Sequence, residues 1–137
     1  MPIVNSNNSH QKVALDRAIK LSRQGKFRQA VQILEPLSQH HSKSAAVFGA
    51  LGGAYFELGN MAKAAEAFRR SVKLNPKSEL ASLGLFHSLW TQNKASEAFA
   101  EMRRFLSISE SVEYTTLLRD LAKAGQLAPL LVPAGAA

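Results

Sequence analysis

A spacing of thirty-four residues recurs along the chain and restricts what it can fold into more than any single motif does. Gly25, Gly59 and Asn93 stand in register, as do Ala30, Ala64 and Ala98. So do Ala18, Gly52 and Phe86, then Leu21, Tyr55 and Leu89, then Leu34, Phe68 and Met102. Three copies of one unit therefore lie at residues 11–44, 45–78 and 79–112. A period in this range marks a stack of helix pairs, because one pair cannot bury its apolar face alone and its neighbours must complete the core.

Within each copy an apolar stripe at helical spacing precedes the Gly or Asn, such as Phe48, Leu51, Gly52 and Tyr55. A second stripe follows it, such as Ala64, Ala65, Phe68 and Val72. Helices are expected over about 10–24, 27–40, 45–58, 61–74, 78–92 and 95–107. Gly25 and Gly59 fall where the first helix must stop and turn through a left-handed backbone, and Asn93 is the next best residue for that position. Ala18, Gly52, Ala30, Ala64 and Ala98 let paired helices approach closely. Pro76 closes the second unit, and Pro36 is expected to bend the second helix or end it near residues 35–37. Phe86 is the one large side chain at a small-residue position, so any irregularity of the stack is expected beside it, next to Trp90.

A seventh helix is expected over 110–124, where Leu117, Leu118 and Leu121 recur at helical spacing and Ser107 and Glu110 have capping-box spacing. With Arg119, Asp120 and Lys123 outward, it would cap the stack. Residues 1–9, rich in Asn and Ser, are expected to form a disordered tail and residues 10–125 a single domain. Residues 126–137 carry Leu127, Leu130, Leu131 and Val132 between two prolines and are expected to be an extended apolar tail.

The middle unit resembles the tetratricopeptide repeat family. Phe48 stands in the usual Trp position, and Leu51, Gly52, Tyr55, Gly59, Ala64, Phe68 and Pro76 follow at the usual offsets. The first unit keeps Ala14, Ala18, Leu21, Gly25, Ala30 and Leu34 but has Arg17 for the usual Leu and Ser42 for the closing Pro. The third keeps Leu85, Leu89, Ala98 and Phe105 but has Phe86 for a small residue and Glu110 for the Pro. The resemblance covers about three quarters of the chain. It implies an all-α fold, an α-solenoid of three antiparallel helix pairs in a right-handed superhelix with a seventh capping helix.

The resemblance also assigns a concave face to the first helix of each pair. In this chain its lining is Lys12, Leu15, Ile19, Ser22 and Arg23, then Ala46, Gly49, Gly53, Phe56 and Glu57, then Leu80, Leu83, His87, Trp90 and Thr91. Family members that clamp a chaperone's C-terminal carboxylate use Lys, Asn and Arg at the two central positions of each repeat. Those positions here hold Leu15 and Ile19, Gly49 and Gly53, and Leu83 and His87, so the clamp is absent. An apolar trough remains, with Phe56 and Trp90 as anchors and Arg23 and Glu57 at the rim. Such a surface suits an apolar helix or an extended segment with bulky side chains. Two other uses of the same residues stand beside this: Trp90 packing against the seventh helix, and the trough filled by the chain's own tail or by a second copy.

The net charge is +7. Lys12, Arg17, Lys20, Arg23, Lys26, Arg28 and Lys43 make the first unit basic, while Arg69, Arg70, Lys73, Arg103 and Arg104 are expected to form an outward ridge on second helices. Such charge solvates a face, or meets nucleic acid or an acidic protein, but it lacks interleaved aromatics. No cysteine is present, which excludes disulfides and thiolate chemistry and leaves no sign of an oxidising compartment. A cytoplasmic setting is expected, since Met1 to Ser9 has the pattern of neither a signal peptide nor an anchor. No cofactor or metal is expected: adjacent His40 and His41 point apart on a helix, and Gly49, Gly52 and Gly53 lie in a helical pattern rather than a phosphate loop. The expected function is a non-enzymatic protein-binding module. The alternatives are a self-associating scaffold or homodimer, a secretion-type chaperone subunit and, last, nucleic-acid binding through the basic first repeat.

Overall fold

The Gly and Asn of the repeat are where the chain turns. Gly25, Gly59, Asn93 and Gly125 have φ of 77°, 80°, 61° and 69°. In each turn the next residue's N–H reaches back over the helix end: Lys26 to Leu21, Asn60 to Tyr55, Lys94 to Leu89 and Gln126 to Leu121, all at 2.9 Å. These bonds satisfy carbonyls that a helix end otherwise leaves unpaired. At the helix starts, the side chains of Ser44, Asn60, Ser78 and Ser111 accept from backbone N–H groups of the first turn. Each such cap contributes about 1 kcal/mol.

The computed structural model describes residues 6–131. Between these turns and caps run seven helices: α1 (Ser6–Arg23), α2 (Phe27–His40), α3 (Ala45–Glu57), α4 (Met61–Leu74), α5 (Glu79–Thr91), α6 (Ala95–Leu106) and α7 (Val112–Lys123). A 3₁₀ turn follows at Ala128–Leu131. No described helix is long and apolar enough to cross a membrane. Each helix packs on the next through the third pair, while α1 also meets α3 and α3 meets α5. The first helices thus lie side by side in one layer and α2, α4 and α6 form the other.

The small residues of the repeat sit at the helix crossings. Ala18, Ala30, Ala64 and Ala98 are fully buried. Phe68 of α4 is wedged between two glycines. A Cβ on Gly52 would lie 2.8 Å from the Phe68 ring, and one on Gly84 would lie 2.5 Å from its Cζ. Gly84→Ala therefore gains about 1 kcal/mol of helix propensity but forces an overpacked core that cannot yield. We expect a net loss of about 1–2 kcal/mol in urea denaturation, recovered by adding Phe68→Leu. In the third unit the pairing is reversed in size: Phe86 is 1% exposed where Gly52 stands, and Met102 takes the place of Phe68.

Four expectations require correction. Helix α2 runs through Pro36 to His40 instead of ending near it. Pro36 is exposed, whereas Leu37 packs on the core and the buried Ser38 hydroxyl donates to the Glu35 carbonyl at 2.7 Å. Tertiary burial of that last turn outweighs the proline's missing N–H. Helix α1 begins at Ser6, so residues 6–9 are helical rather than disordered; no Gly or Pro interrupts the run to Arg23, and residues 1–5 lie outside the described residues. The α7 cap is Ser111, whose hydroxyl takes the Tyr114 N–H at 3.0 Å, while Ser107 closes α6 and donates to the Arg104 carbonyl. The tail is not extended throughout: Ala128–Leu131 forms the 3₁₀ turn on α6, where Leu127 and Leu130 reach the core and Arg103 donates to the Leu130 carbonyl at 2.6 Å. Of the tail, residues 132–137 lie outside the described residues.

Candidate functional site

The face formed by α1, α3 and α5 carries the expected trough residues. Leu15, Ile19, Gly53, Phe56, Leu83 and Trp90 are half-buried, and Arg23, Glu57 and His87 are exposed. Leu15, Phe56, Leu83 and Trp90 rest on the core, so each presents one apolar side outward. Gly53 faces open space, whereas a side chain on Gly49 would meet the Ser71 hydroxyl of α4 at 3.4 Å. Ser71 in turn donates to the Ala45 carbonyl at 2.9 Å, which makes Gly49 a point of α3–α4 contact rather than trough floor. Leu80, named among the lining by register, is 82% exposed at the start of α5, and Val112 is 77% exposed at the start of α7.

Trp90 is held from below. Its ring lies nearly parallel to Phe86, with centroids 5.9 Å apart, and edge-on to Phe99 of α6 at 5.8 Å. Phe86, not Trp90, makes the aromatic contact with α7, through Tyr114 at 5.9 Å. His87 sets its ring against Phe86 at 5.5 Å and 87°. Although His87 is exposed overall, desolvation of the part of its ring set against Phe86 holds the imidazole below its ordinary value of 6.5. The unfolded chain then binds the proton more readily than the folded one, so stability is full above about pH 6.5 and falls as pH drops through the folded value. Melting temperature should decline less between about pH 7.5 and 5.5 in His87→Asn than in the wild type.

Behind the trough lies a buried polar cluster with no counterpart in the middle repeat. The Ser82 hydroxyl donates to Glu101 Oε2 at 2.6 Å and lies 2.7 Å from the Tyr114 hydroxyl, 32 residues further along the chain. Arg104 grips both Glu101 oxygens, at 2.8 and 2.6 Å, and donates to the Pro76 carbonyl at 3.0 Å. The register-equivalent residues of the middle repeat are Phe48, Ala67 and Arg70, where Arg70 lies 4.3 Å over the Phe48 ring. One position pattern thus builds an apolar contact in one repeat and an ionic one in the next.

The cluster corrects the expected basic ridge. Lys12, Arg17, Lys20, Arg69, Arg70 and Arg103 are exposed, but Arg104 is half-buried and committed to Glu101. Nothing in the pattern of charges alone separates Arg104 from Arg70; the signal was Glu101, a carboxylate at the core position held by Ala67 in the repeat before.

Residues 15–79 match the family model described as tetratricopeptide repeat. Those residues are tetratricopeptide repeats. Solved structures agree on the fold. The first tetratricopeptide domain of Spaghetti (RPAP3), bound to the HSP90 peptide SRMEEVD, is 23% identical, with a TM-score of 0.73 over 83% of this chain and 94% of that one. The Yersinia enterocolitica type III secretion chaperone SycD, in complex with a peptide of the translocator YopD, is 15% identical, with a TM-score of 0.73 over 90% and 94%. Pseudomonas aeruginosa pilF is 21% identical, with a TM-score of 0.69 over 88% of this chain and 56% of its own. No curated protein matches the chain by sequence.

Proposed function

We propose that this protein is a non-enzymatic binding module that takes an apolar helix or peptide of a partner protein along α1, α3 and α5, in a cytoplasmic setting. The observation that carries the reading is the apolar outer surface of those helices, where Phe56, Leu83 and Trp90 are half-buried and Leu80 is 82% exposed. Apolar side chains already fixed by packing below lose little freedom on binding, which favours their use as anchors. Neighbours of the same fold are solved with peptides bound, one from HSP90 and one from the translocator YopD. The positions that carry a carboxylate clamp in the family hold aliphatic, Gly and His side chains here, so the reading favours an apolar segment over an acidic chain end.

Leu80 gives the cleanest test, because its exposure separates binding from folding. Leu80→Asp should leave the melting temperature within about a degree, since exposed substitutions change stability by under about 0.5 kcal/mol. Capture of the partner from a lysate of the source cell should weaken at least tenfold, the loss of about 1.4 kcal/mol or more at an interface anchor. A partner held equally by Leu80→Asp and wild type would place the binding face elsewhere.

A further inference from the structure

The gap between neighbouring outer helices is built twice in the same register, and the two copies differ in chemistry. Between α2 and α4, a cavity of about 290 Å³ has Glu35, Ser38 and Gln39 on its α2 wall. Between α4 and α6, the equivalent residues are Arg69, Val72 and Lys73, in a cavity of about 430 Å³. Along this wall an acid becomes a base, a hydroxyl becomes an isopropyl group and an amide becomes an ammonium, while on the facing wall Ala67 gives way to Glu101, whose charge Arg104 neutralises. The lining changes too: Phe48 lines the first cavity whereas its equivalent Ser82 is buried away from the second, and Pro76 forms part of the second cavity's wall. The repeat does not dictate an apolar, basic groove; this chain's residues create one at a single place.

Four cations line that groove; Arg104 is held by Glu101 and Arg70 lies over the Phe48 ring, which leaves Arg69 and Lys73 free to meet a ligand. Arg104–Glu101 is the one ion pair among the described residues, and Arg69 and Lys73 lie one helical turn apart on α4, exposed. We infer that the α4–α6 groove docks an acidic protein segment that rests an apolar side chain on the exposed Pro76, beside the accessible edge of the buried Val72 and Leu85, and sets carboxylates on Arg69 and Lys73. A guanidinium pairs with a carboxylate through two parallel hydrogen bonds, and an apolar floor beneath strengthens that pair by excluding water. Nucleic acid fits the groove less well. Its lining has no aromatic ring on which a base would stack, and the carboxylate of Glu101 lies among its cations. The groove lies among the outer helices, away from the trough on α1, α3 and α5, so the two sites are independent.

Fluorescence anisotropy with a labelled peptide alternating glutamate and leucine tests the assignment. The double variant Arg69→Glu/Lys73→Glu should bind it at least about tenfold more weakly, because charge reversal sets like charges face to face. Both residues are exposed and outside any ion pair, so the variant's melting curve should match the wild type. A peptide with serine for each leucine should also lose about tenfold, while Leu80→Asp should bind the original peptide unchanged. Binding by the double variant within about twofold of wild type would overturn the inference, as would a serine peptide equal to the leucine peptide. Loss in Leu80→Asp alone would move the site to the trough, and competition by oligothymidine as strong as by the peptide would reassign the groove to nucleic acid.

Discussion

Tyr114→Ala is expected to lower the stability of the protein by about 3–5 kcal/mol, the range for removing a fully buried aromatic ring. Tyr114 is 0% exposed and is the side chain that fastens α7 to the stack: its ring lies 5.9 Å from Phe86 and 5.8 Å from Phe105. Without it Phe86 and Phe105 lose the cover that keeps the end of the solenoid from water, and a terminal repeat without a polar cap exposes an apolar face. Tyr114→Phe keeps the rings and removes one hydroxyl, so it should cost only about 1 kcal/mol. Burial holds the phenol above its ordinary value, so it stays neutral and the pair of variants can be compared at any pH near neutrality. Urea denaturation followed by circular dichroism measures both; a loss under about 1 kcal/mol in Tyr114→Ala would mean that α7 is not fastened by this ring.

Arg104→Ala is expected to cost roughly 3 kcal/mol, the low end for orphaning one member of a buried ion pair. The low end applies because the Arg104 side chain is 33% exposed and part of its interaction is screened, while its partner Glu101 is 8% exposed and would be left with Ser82 alone. The bond to the Pro76 carbonyl, which ties the α4–α5 connection to α6, is lost as well. The same substitution one repeat earlier makes a direct comparison. Arg70→Ala removes a guanidinium lying over Phe48 and orphans nothing, so its cost should be about 0.5–1 kcal/mol. Equal losses at the two positions would show that the carboxylate in the third repeat does not need its arginine.

The contrast between those two arginines marks where the sequence stopped being legible. The period, the turn residues and the apolar stripes identified six helices to within a residue or two, apart from the start of α1, because each follows from local geometry that repeats. Positions whose environment comes from across the stack were harder. Pro36 obeys local propensity in isolation, but burial of Leu37 and Ser38 overrides it. Glu101 and Ser82 are polar residues at core positions, and only the fold shows that they satisfy one another. The register of α7 was within reach. Tyr114, Leu117, Leu118 and Leu121 repeat the stripe Ser82, Leu85, Phe86 and Leu89, but at the spacing of 32 residues that separates Ser82 from Tyr114 rather than thirty-four. A connection two residues shorter brings Tyr114 onto the position of Phe48, and counting in strict register misses it. On the face of α1, α3 and α5, register specifies one helix face, which is why Leu15, Phe56, Leu83 and Trp90 share it; at Gly49 the crossing of Ser71 decides which way the position faces.

Trp90 is the only tryptophan in the chain and lies half-buried in the proposed binding face, so its emission reports on that face alone. Titration with the partner segment recovered by capture, followed by the Trp90 emission spectrum, reads occupancy of the α1, α3 and α5 face. A saturable shift is expected in wild type, lost in Leu80→Asp at an unchanged melting temperature and retained in Arg69→Glu/Lys73→Glu. A partner that binds wild type and Leu80→Asp with equal affinity and leaves Trp90 emission unmoved would contradict binding on that face.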